Sequence, residues 1–149
     1  MGDELCEWCG QHVGYCQCGS QTPRQDIDDD VFDYGRIRPH AWLPTVDLSN
    51  ADLRQANLSD ADLAESNLSN ADLSLANLSN ANLAFANLAG TNLSYANLSY
   101  ANLTNANLTN ANLSYANLTN ANLAGANLAG ARMNYVRLTG TIFDKTIHG

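Results

Sequence analysis

Residues 76–85 read ANLSNANLAF, two copies of a five-residue unit of the form Ala-Asn-Leu-x-x that decides the fold. The unit repeats from Val46 to Lys145 without an insertion or deletion, so twenty copies follow one another. Leucine holds the central position from Leu48 to Leu128, and Met133, Leu138 and Phe143 continue the register. The residue two places before each central residue is small and nearly always alanine. This regularity predicts one continuous repeat architecture.

A period of five residues matches neither regular secondary structure. An α-helix advances about 100° per residue and would carry successive leucines around its whole circumference, whereas a flat strand would place them on alternate faces. The chain must therefore bend once per unit, with the leucine and the small residue pointing inward. We predict a coil of short extended sides joined by corners.

Two columns of outward residues indicate how many sides make one turn of this coil. Sampled every twenty residues, the position two after the central residue is mostly large and apolar in one column, and Asn or Gly in the next. The columns are Gln55, Leu75, Tyr95, Tyr115 and Tyr135, and Asn50, Asn70, Gly90, Asn110 and Gly130. Asn and Gly tolerate the positive φ of a tight corner, so the second column is typical of stacked identical turns. A repeat of twenty residues predicts four sides per turn.

The repeated Ala-Asn-Leu-x-x unit resembles that of the pentapeptide-repeat proteins. The resemblance implies an all-β fold, a right-handed quadrilateral parallel β-helix with the central Leu or Phe and the preceding small residue packed inside. It implies five coils here, which at an inter-strand spacing of about 4.8 Å give a height of about 24 Å. We accordingly divide the chain into a zinc-knuckle segment at 1–20, an acidic linker and cap at 21–40, and the β-helix at 41–149.

The cysteines are concentrated at the amino-terminal end. They are Cys6, Cys9, Cys16 and Cys18. Four thiolates this close together suit a tetrahedral zinc ion, and Gly10 and Gly19 free the backbone so that amide groups can bond the sulfurs. The spacing resembles that of zinc-ribbon knuckles, and four sulfur ligands leave no open position for catalysis. The alternatives are two disulfides, a redox-active pair, or replacement of one ligand by His12 or His40.

Two surfaces of the repeat are candidate interaction sites. The first is the column Leu75, Tyr95, Tyr115 and Tyr135, with Phe85 and Tyr100 placed beside it. Tyrosine is enriched in binding surfaces, but tyrosines one coil apart could instead only stack and stiffen the sheet, or lie under the amino-terminal arm. The second is the apolar carboxy-terminal mouth of Ile142, Phe143 and Ile147, which predicts self-association as a weak dimer.

Charge is distributed unevenly along a chain whose formal net charge is −8. Acidic residues are concentrated before Leu73, no charged residue or histidine occurs from Leu73 through Ala131, and the basic residues Arg132, Arg137 and Lys145 follow, with Asp144 beside them. The family includes DNA mimics that bind DNA gyrase, but duplex DNA carries about one charge per 1.7 Å, which this uncharged middle does not match. No catalytic constellation is present. We predict a non-enzymatic protein-interaction scaffold, with the gyrase-binding mimic as the alternative.

The sequence also indicates where the protein works. It contains no apolar run long enough to span a bilayer, and its acidic start at residues 1–4 is unlike a secretory signal. We therefore expect a cytoplasmic protein with an unidentified protein partner and no direct contact with nucleic acid or membrane.

The cysteine segment generates the first testable prediction. Reduced, purified protein should contain one equivalent of zinc, because structural zinc contributes about 10 to 16 kcal/mol of apparent binding energy to segments with little core of their own. Chelation should unfold residues 1–20 and leave the circular dichroism of the β-helix unchanged. Elemental analysis beside a Cys6→Ser, Cys9→Ser variant measures this. Less than about a tenth of an equivalent in the unaltered protein would remove the zinc assignment.

Overall fold

The computed structural model describes residues 37–143, which form a four-sided β-helix. The chain divides into two units, Met1–Tyr34 and Gly35–Gly149, and the described residues belong to the second. The four cysteines and Ile147 lie outside the described residues, so the zinc assignment and that part of the self-association site stay predictions. Among residues 37–143, no helix has the length and hydropathy needed to cross a membrane.

Parallel pairing with a step of twenty residues holds the coils together. Each residue before a central leucine pairs with the residue twenty positions later, from Trp42 with Asp62 to Asn117 with Arg137. Two short strands, β1 at Asn122–Leu123 and β2 at Ile142–Phe143, pair in the same register. Because a turn follows every five residues, each twenty-residue coil has four sides, as the sequence predicts.

In the middle coils every backbone N–H group of a repeat unit has a hydrogen-bond acceptor, as the unit around Leu68 shows. Four of the five donate to carbonyls in the previous coil, in the following coil, or across the corner of the same coil. Around Leu68 these bonds run from Asn67 to Val46 (2.8 Å), Leu68 to Asn87 (2.8 Å), Asn70 to Ala89 (2.9 Å) and Ala71 to Leu68 (3.1 Å). The fifth N–H, that of Ser69, donates to the Asn67 side-chain oxygen at 3.2 Å. Coils of very short sides therefore satisfy the backbone without long strands.

All four corners of the coil have a positive φ. The residue two places after each central position has φ between 56° and 70° from His40 to Gly140, which includes the aromatic column as well as the Asn and Gly column. The sequence assigns such corners to the Asn and Gly column alone. Each side must reverse in the same way to close the square, so residue preference does not decide the corner conformation. For each residue other than glycine, this backbone conformation costs about 1 to 3 kcal/mol of conformational free energy.

The coil geometry extends back to residue 38. The Ala41 N–H donates to the Arg38 carbonyl at 3.2 Å, and the His40 N–H donates to the Ser59 carbonyl at 2.8 Å. Pro39 directly precedes the corner residue His40, whose φ is positive, and proline is favoured at this position of a type II turn. A proline therefore fits the coil at this point without loss of an inter-coil hydrogen bond.

The core is a stack of leucines backed by alanines. Every central leucine from Leu58 to Leu118 is fully buried, as the inward assignment predicts. Ser66 and Thr91 replace alanine at two buried positions, where their hydroxyls donate to the carbonyls of Leu63 and Leu68, both at 2.7 Å. Within the described range, no buried side-chain nitrogen or oxygen lacks a hydrogen-bond partner.

The glycine corners each lie one coil after an asparagine corner. Gly125 has φ +70°, and a Cβ added there would meet the side-chain oxygen of Asn105, one coil earlier. Gly90, Gly130 and Gly140 lie in the same way after Asn70, Asn110 and Asn120. At these corners the asparagine side chain occupies space that the missing Cβ leaves free.

The two ends of the described helix differ in how far the inward residues are covered. Leu43, Leu48 and Leu53 in the first coil are at most 3% exposed, whereas Leu138 is 41% and Phe143 is 43% exposed. Ile142 is also exposed. The exposed end thus includes two of the three residues that the sequence assigns to self-association.

Truncation of a core leucine tests the inward and outward assignment. Leu103→Ala should lower the free energy of unfolding by about 2 to 5 kcal/mol, because stacked coils cannot collapse into the gap. Asn105→Gly is the matched control in the same unit, and it should change stability by no more than about 0.5 kcal/mol because glycine adopts the positive φ freely. Urea melts followed by circular dichroism give both values. Equal losses would contradict the assignment.

The exposed last coil generates a prediction about self-association. We expect a weak dimer through this coil that Phe143→Glu dissociates, because the substitution places a charge in an apolar contact. Phe85→Glu, a similarly exposed aromatic away from this end, is the control and should leave the association unchanged. Analytical ultracentrifugation over a concentration series measures it. A single 16.0 kDa species up to high micromolar concentration would contradict the prediction.

Candidate protein interface

The aromatic column lies at one corner of the β-helix, and its members are exposed. Their exposed fractions are 57% for Leu75, 57% for Tyr95, 47% for Tyr115 and 78% for Tyr135. All four are corner residues with φ between 59° and 63°. We call these four residues the tyrosine ridge.

The tyrosines of the ridge stack on one another along the helix axis. The ring centroids of Tyr95 and Tyr115 are 4.7 Å apart with planes inclined by 3°, and those of Tyr115 and Tyr135 are 5.0 Å apart with planes inclined by 15°. These separations match the spacing between paired strands. Ring faces therefore cover each other, while ring edges point away from the stack. The tyrosines therefore stack on one another, as one of the two interpretations predicts, and they also keep the exposure that binding a partner requires.

The other two aromatic residues of the candidate surface lie at different corners. Tyr100 follows Tyr95 by one side of the coil and is therefore at the adjacent corner. Phe85 precedes Tyr95 by ten residues, which is half a coil, so it lies at the diagonally opposite corner. The sequence predicts both beside the column. The structure keeps only Tyr100 next to it, because twenty residues complete one turn.

Asparagine ladders form the two sides that meet at the ridge. In each ladder an Asn side-chain NH2 donates to the side-chain oxygen twenty residues earlier. On one side these bonds run from Asn77 to Asn57 (3.3 Å), Asn97 to Asn77 (3.4 Å) and Asn117 to Asn97 (3.2 Å); on the other, from Asn92 to Asp72 (3.1 Å) and Asn112 to Asn92 (3.3 Å). The predicted side-chain ladders are therefore present, and they give the ridge a hydrogen-bonded support on both sides.

Carboxylates occupy the early positions of the ladders. Asp47 accepts from Asn67 at 3.1 Å, and Asp62 accepts from Asn82 at 3.0 Å. The Ser49 backbone N–H holds the pKa of Asp47 below its ordinary value, and the Ser49 hydroxyl and the Asn67 amide act in the same direction. A carboxylate accepts but does not donate, so Asp suits a position from which no donation to an earlier coil is needed. The acidic amino-terminal coils thus follow from the ladder chemistry.

Asp52 and Asp72 lie in one column, and their contacts differ. They are paired neighbours one coil apart, and neither carboxylate can donate to the other. Asp52 instead accepts two hydrogen bonds from the Arg54 guanidinium, at 2.7 and 2.6 Å. These bonds lower the pKa of Asp52, and Asp52 in turn raises the pKa of Arg54 above its ordinary value. The pair is exposed and leaves the uncharged middle of the ridge unaffected.

His40 was an alternative ligand for the predicted zinc ion. Its Nε2 atom is 4.0 Å from the Asp60 carboxylate, one coil later. In the part of the chain that the structure describes, no three His, Cys, Asp or Glu side chains gather in a group that could hold a metal ion. The four cysteines and His12 lie outside the described residues, so the zinc site and its alternative ligands stay predictions.

Comparison with known proteins places these features in a family. A family model for pentapeptide repeats (8 copies) matches residues 46–80, 71–110 and 106–147. The solved structure of Rfr23, a pentapeptide repeat protein from the cyanobacterium Cyanothece 51142, is 33% identical, with 72% of this chain and 87% of that chain covered and a TM-score of 0.47. No match was found among curated proteins.

Two further solved structures are similar to the chain. HetL, a pentapeptide repeat protein involved in heterocyst differentiation regulation from Nostoc sp. strain PCC 7120, is 33% identical over 74% of this chain and 63% of that chain, with a TM-score of 0.35. QnrB1, a plasmid-mediated fluoroquinolone resistance protein, is 21% identical over 71% and 65% of the two chains, with a TM-score of 0.44. On the repeat match over residues 46–147, the chain belongs to the pentapeptide-repeat family and has its right-handed quadrilateral β-helix fold.

Proposed function

We propose that this protein is a non-enzymatic scaffold that binds a protein partner through the tyrosine ridge. The observation that carries the proposal is a column of stacked, exposed tyrosines on a rigid hydrogen-bonded support. Tyrosine combines a large apolar ring with a polar hydroxyl and is enriched at protein interfaces. Its stacked rings are already ordered before binding, so little side-chain entropy is lost when a partner covers them.

The ring stacks of the ridge supply part of the energy that its corners need. A residue other than glycine at a positive φ costs about 1 to 3 kcal/mol, a cost shared by corners outside the ridge such as Thr45 and Phe85. The two ring stacks contribute about 0.5 to 1.5 kcal/mol each. Stacking thus offsets part of the strain at the ridge, and it leaves the ring edges exposed to a partner.

The charge pattern favours a protein partner over the DNA-mimic alternative. The uncharged residues 73–131 include Leu75, Tyr95 and Tyr115, whereas a duplex presents about one negative charge per 1.7 Å along its length. A neutral aromatic surface suits the centre of a protein interface, where charged residues are depleted. We further propose that the four cysteines hold structural zinc in a second docking element and that the protein acts in the cytoplasm.

Removal of the ridge rings tests the proposed function. Tyr95, Tyr115 and Tyr135 changed together to Ser should lower recovery of the bound partner from native lysate by at least about tenfold, because interface aromatics dominate binding energy. The matched control changes Phe85 to Ser; this residue is 61% exposed but lies at the diagonally opposite corner. The control should recover the partner at the unaltered level.

Two further measurements make this test decisive. Circular dichroism and thermal melting should show that the triple variant keeps the β-helix, with a loss no larger than that of its two ring stacks. Equal recovery by the triple variant and the control would refute the ridge as the binding surface. Strong inhibition of gyrase supercoiling by the unaltered protein would instead support the DNA-mimic alternative.

A further inference from the structure

The tyrosine ridge has a charge of opposite sign beside each of its ends. Asp72 precedes Leu75 by three residues, and Arg132 precedes Tyr135 by three residues. Both charged residues belong to the same column, which steps from Asp72 through Asn92 and Asn112 to Arg132. Asp72 is half-buried and Arg132 is exposed. The ridge therefore has a negative end and a positive end, separated by a neutral middle.

We propose that a second copy of this chain docks on the ridge, side by side and antiparallel. This inference rests on the proposed function, because it names the partner that the ridge binds. A two-fold axis perpendicular to the helix axis, at a level between Tyr95 and Tyr115, relates the two copies. It sets Tyr95 opposite the second copy's Tyr115 and Leu75 opposite the second copy's Tyr135.

The same two-fold axis brings opposite charges together. It places Asp72 at the level of the second copy's Arg132, on the same side of the ridge, and symmetry repeats the pair at the other end. Because both copies have the same inter-strand spacing of about 4.8 Å, all the coil levels coincide once one pair is aligned. Taken alone, an isologous contact of this kind closes on itself as a dimer, and the Phe143→Glu background isolates it from the separate contact predicted through the last coil.

A parallel arrangement of the two copies is electrostatically worse. A two-fold axis along the helix axis would keep each residue at its own level and would set Arg132 beside the second copy's Arg137. Like charges placed together across an interface oppose association, whereas complementary charges fix the register. The antiparallel arrangement alone pairs the positive end with the negative end.

The charge distribution also explains why contact would occur at the ridge. Among residues 37–143, the six acidic residues all precede Leu73, together with Arg38 and Arg54, and Arg132 and Arg137 follow Ala131. Residues 73–131 are uncharged, so a contact centred on Tyr95 and Tyr115 brings no like charges together at its centre. A ridge of four side chains covers less area than the roughly 1,200 to 2,000 Å² of a stable interface, so the dimer is expected to be weak and concentration-dependent.

Sedimentation of the full chain tests the dimer and distinguishes the ridge contact from the contact through the last coil. The measurements are made in the unaltered protein and in the Phe143→Glu background, which removes the contact through the last coil. In both, the dimer should persist with Phe85→Ser and should weaken at least about tenfold when the three ridge tyrosines are changed to Ser. A protein that is monomeric in the Phe143→Glu background at high micromolar concentration would overturn the inference.

A charge exchange tests the antiparallel register. Arg132→Glu and Asp72→Lys should each weaken the dimer by about fivefold to tenfold, because each replaces an attraction with a repulsion at two symmetric places. The double variant should recover most of the affinity of the unaltered protein. Additive loss in the double variant, with the circular dichroism of the β-helix retained, would contradict the pairing.

Covalent capture provides a readout that does not depend on affinity. In an Arg132→Lys variant, a zero-length carbodiimide should join the introduced amine to the Asp72 carboxylate of the other copy. Within one chain these two positions are three coils, about 14 Å, apart, so the bond forms only between copies. Mass spectrometry of mixed ¹⁴N and ¹⁵N protein identifies such links. If the introduced amine linked only to carboxylates near the carboxy-terminal end of the other copy, the antiparallel arrangement would be wrong.

The outcomes for this inference and for the proposed function differ. A monomeric protein whose partner recovery still depends on the ridge tyrosines would refute the second copy and leave the scaffold proposal standing. A dimer that the tyrosine changes leave intact would refute the inference, and unchanged recovery of the partner would refute the ridge as a binding surface.

Discussion

The hydrogen bond from the backbone to the asparagine side chain is the interaction on which the whole β-helix depends. From Ser49 to Ala129, the N–H after each central leucine donates to the side chain of the Asn or Asp before that leucine, as Ser99 donates to Asn97 at 3.2 Å. The same amide donates to the coil before it, to Asn77 at 3.4 Å. One side chain thus satisfies a local donor and links two coils. A buried or half-buried N–H without an acceptor would cost about 1 to 3 kcal/mol, repeated at every unit.

Because of this bond, successive coils pair in parallel although almost every side of a coil contributes only one paired residue. Only β1 and β2 extend beyond a single paired residue in the described part of the chain, yet units of the middle coils, such as that around Leu68, have all their N–H groups bonded. The corner can therefore follow immediately, and the leucine interior stays one side chain wide. The cost is a positive φ at every corner, which the inter-coil bonds maintain even for Tyr115 and Thr45. The side chain at a corner points outward and has no role in the core, so a corner can present a side chain to a partner.

The sequence predicts the architecture well because period alone determines it. Leucine every fifth residue predicts the inward column, and the twenty-residue recurrence predicts four sides, regardless of local propensity. Corner conformation was predicted only in part, since Leu75 and Tyr95 disfavour positive φ as isolated residues and tertiary hydrogen bonds override that preference. The predicted position of Phe85 was wrong because ten residues along the chain correspond to half a coil. The four cysteines have no such periodic constraint, and their zinc assignment remains a prediction from spacing.

The ladder hydrogen bonds all point toward the earlier coil. This direction accounts for carboxylates in the early coils and for Arg132 and Arg137 in the last coil. Each Asn donates toward the earlier coil, so the first member of a ladder needs only to accept and can be a carboxylate, as Asp62 is for Asn82. The last member of a ladder accepts from no later coil, so a side chain without an acceptor is tolerated there. Arg132 and Arg137 hold such last positions. A directional ladder therefore permits carboxylates at its first positions, guanidinium groups at its last and neutral amides between them, and an outward column beside it has the same order of charges.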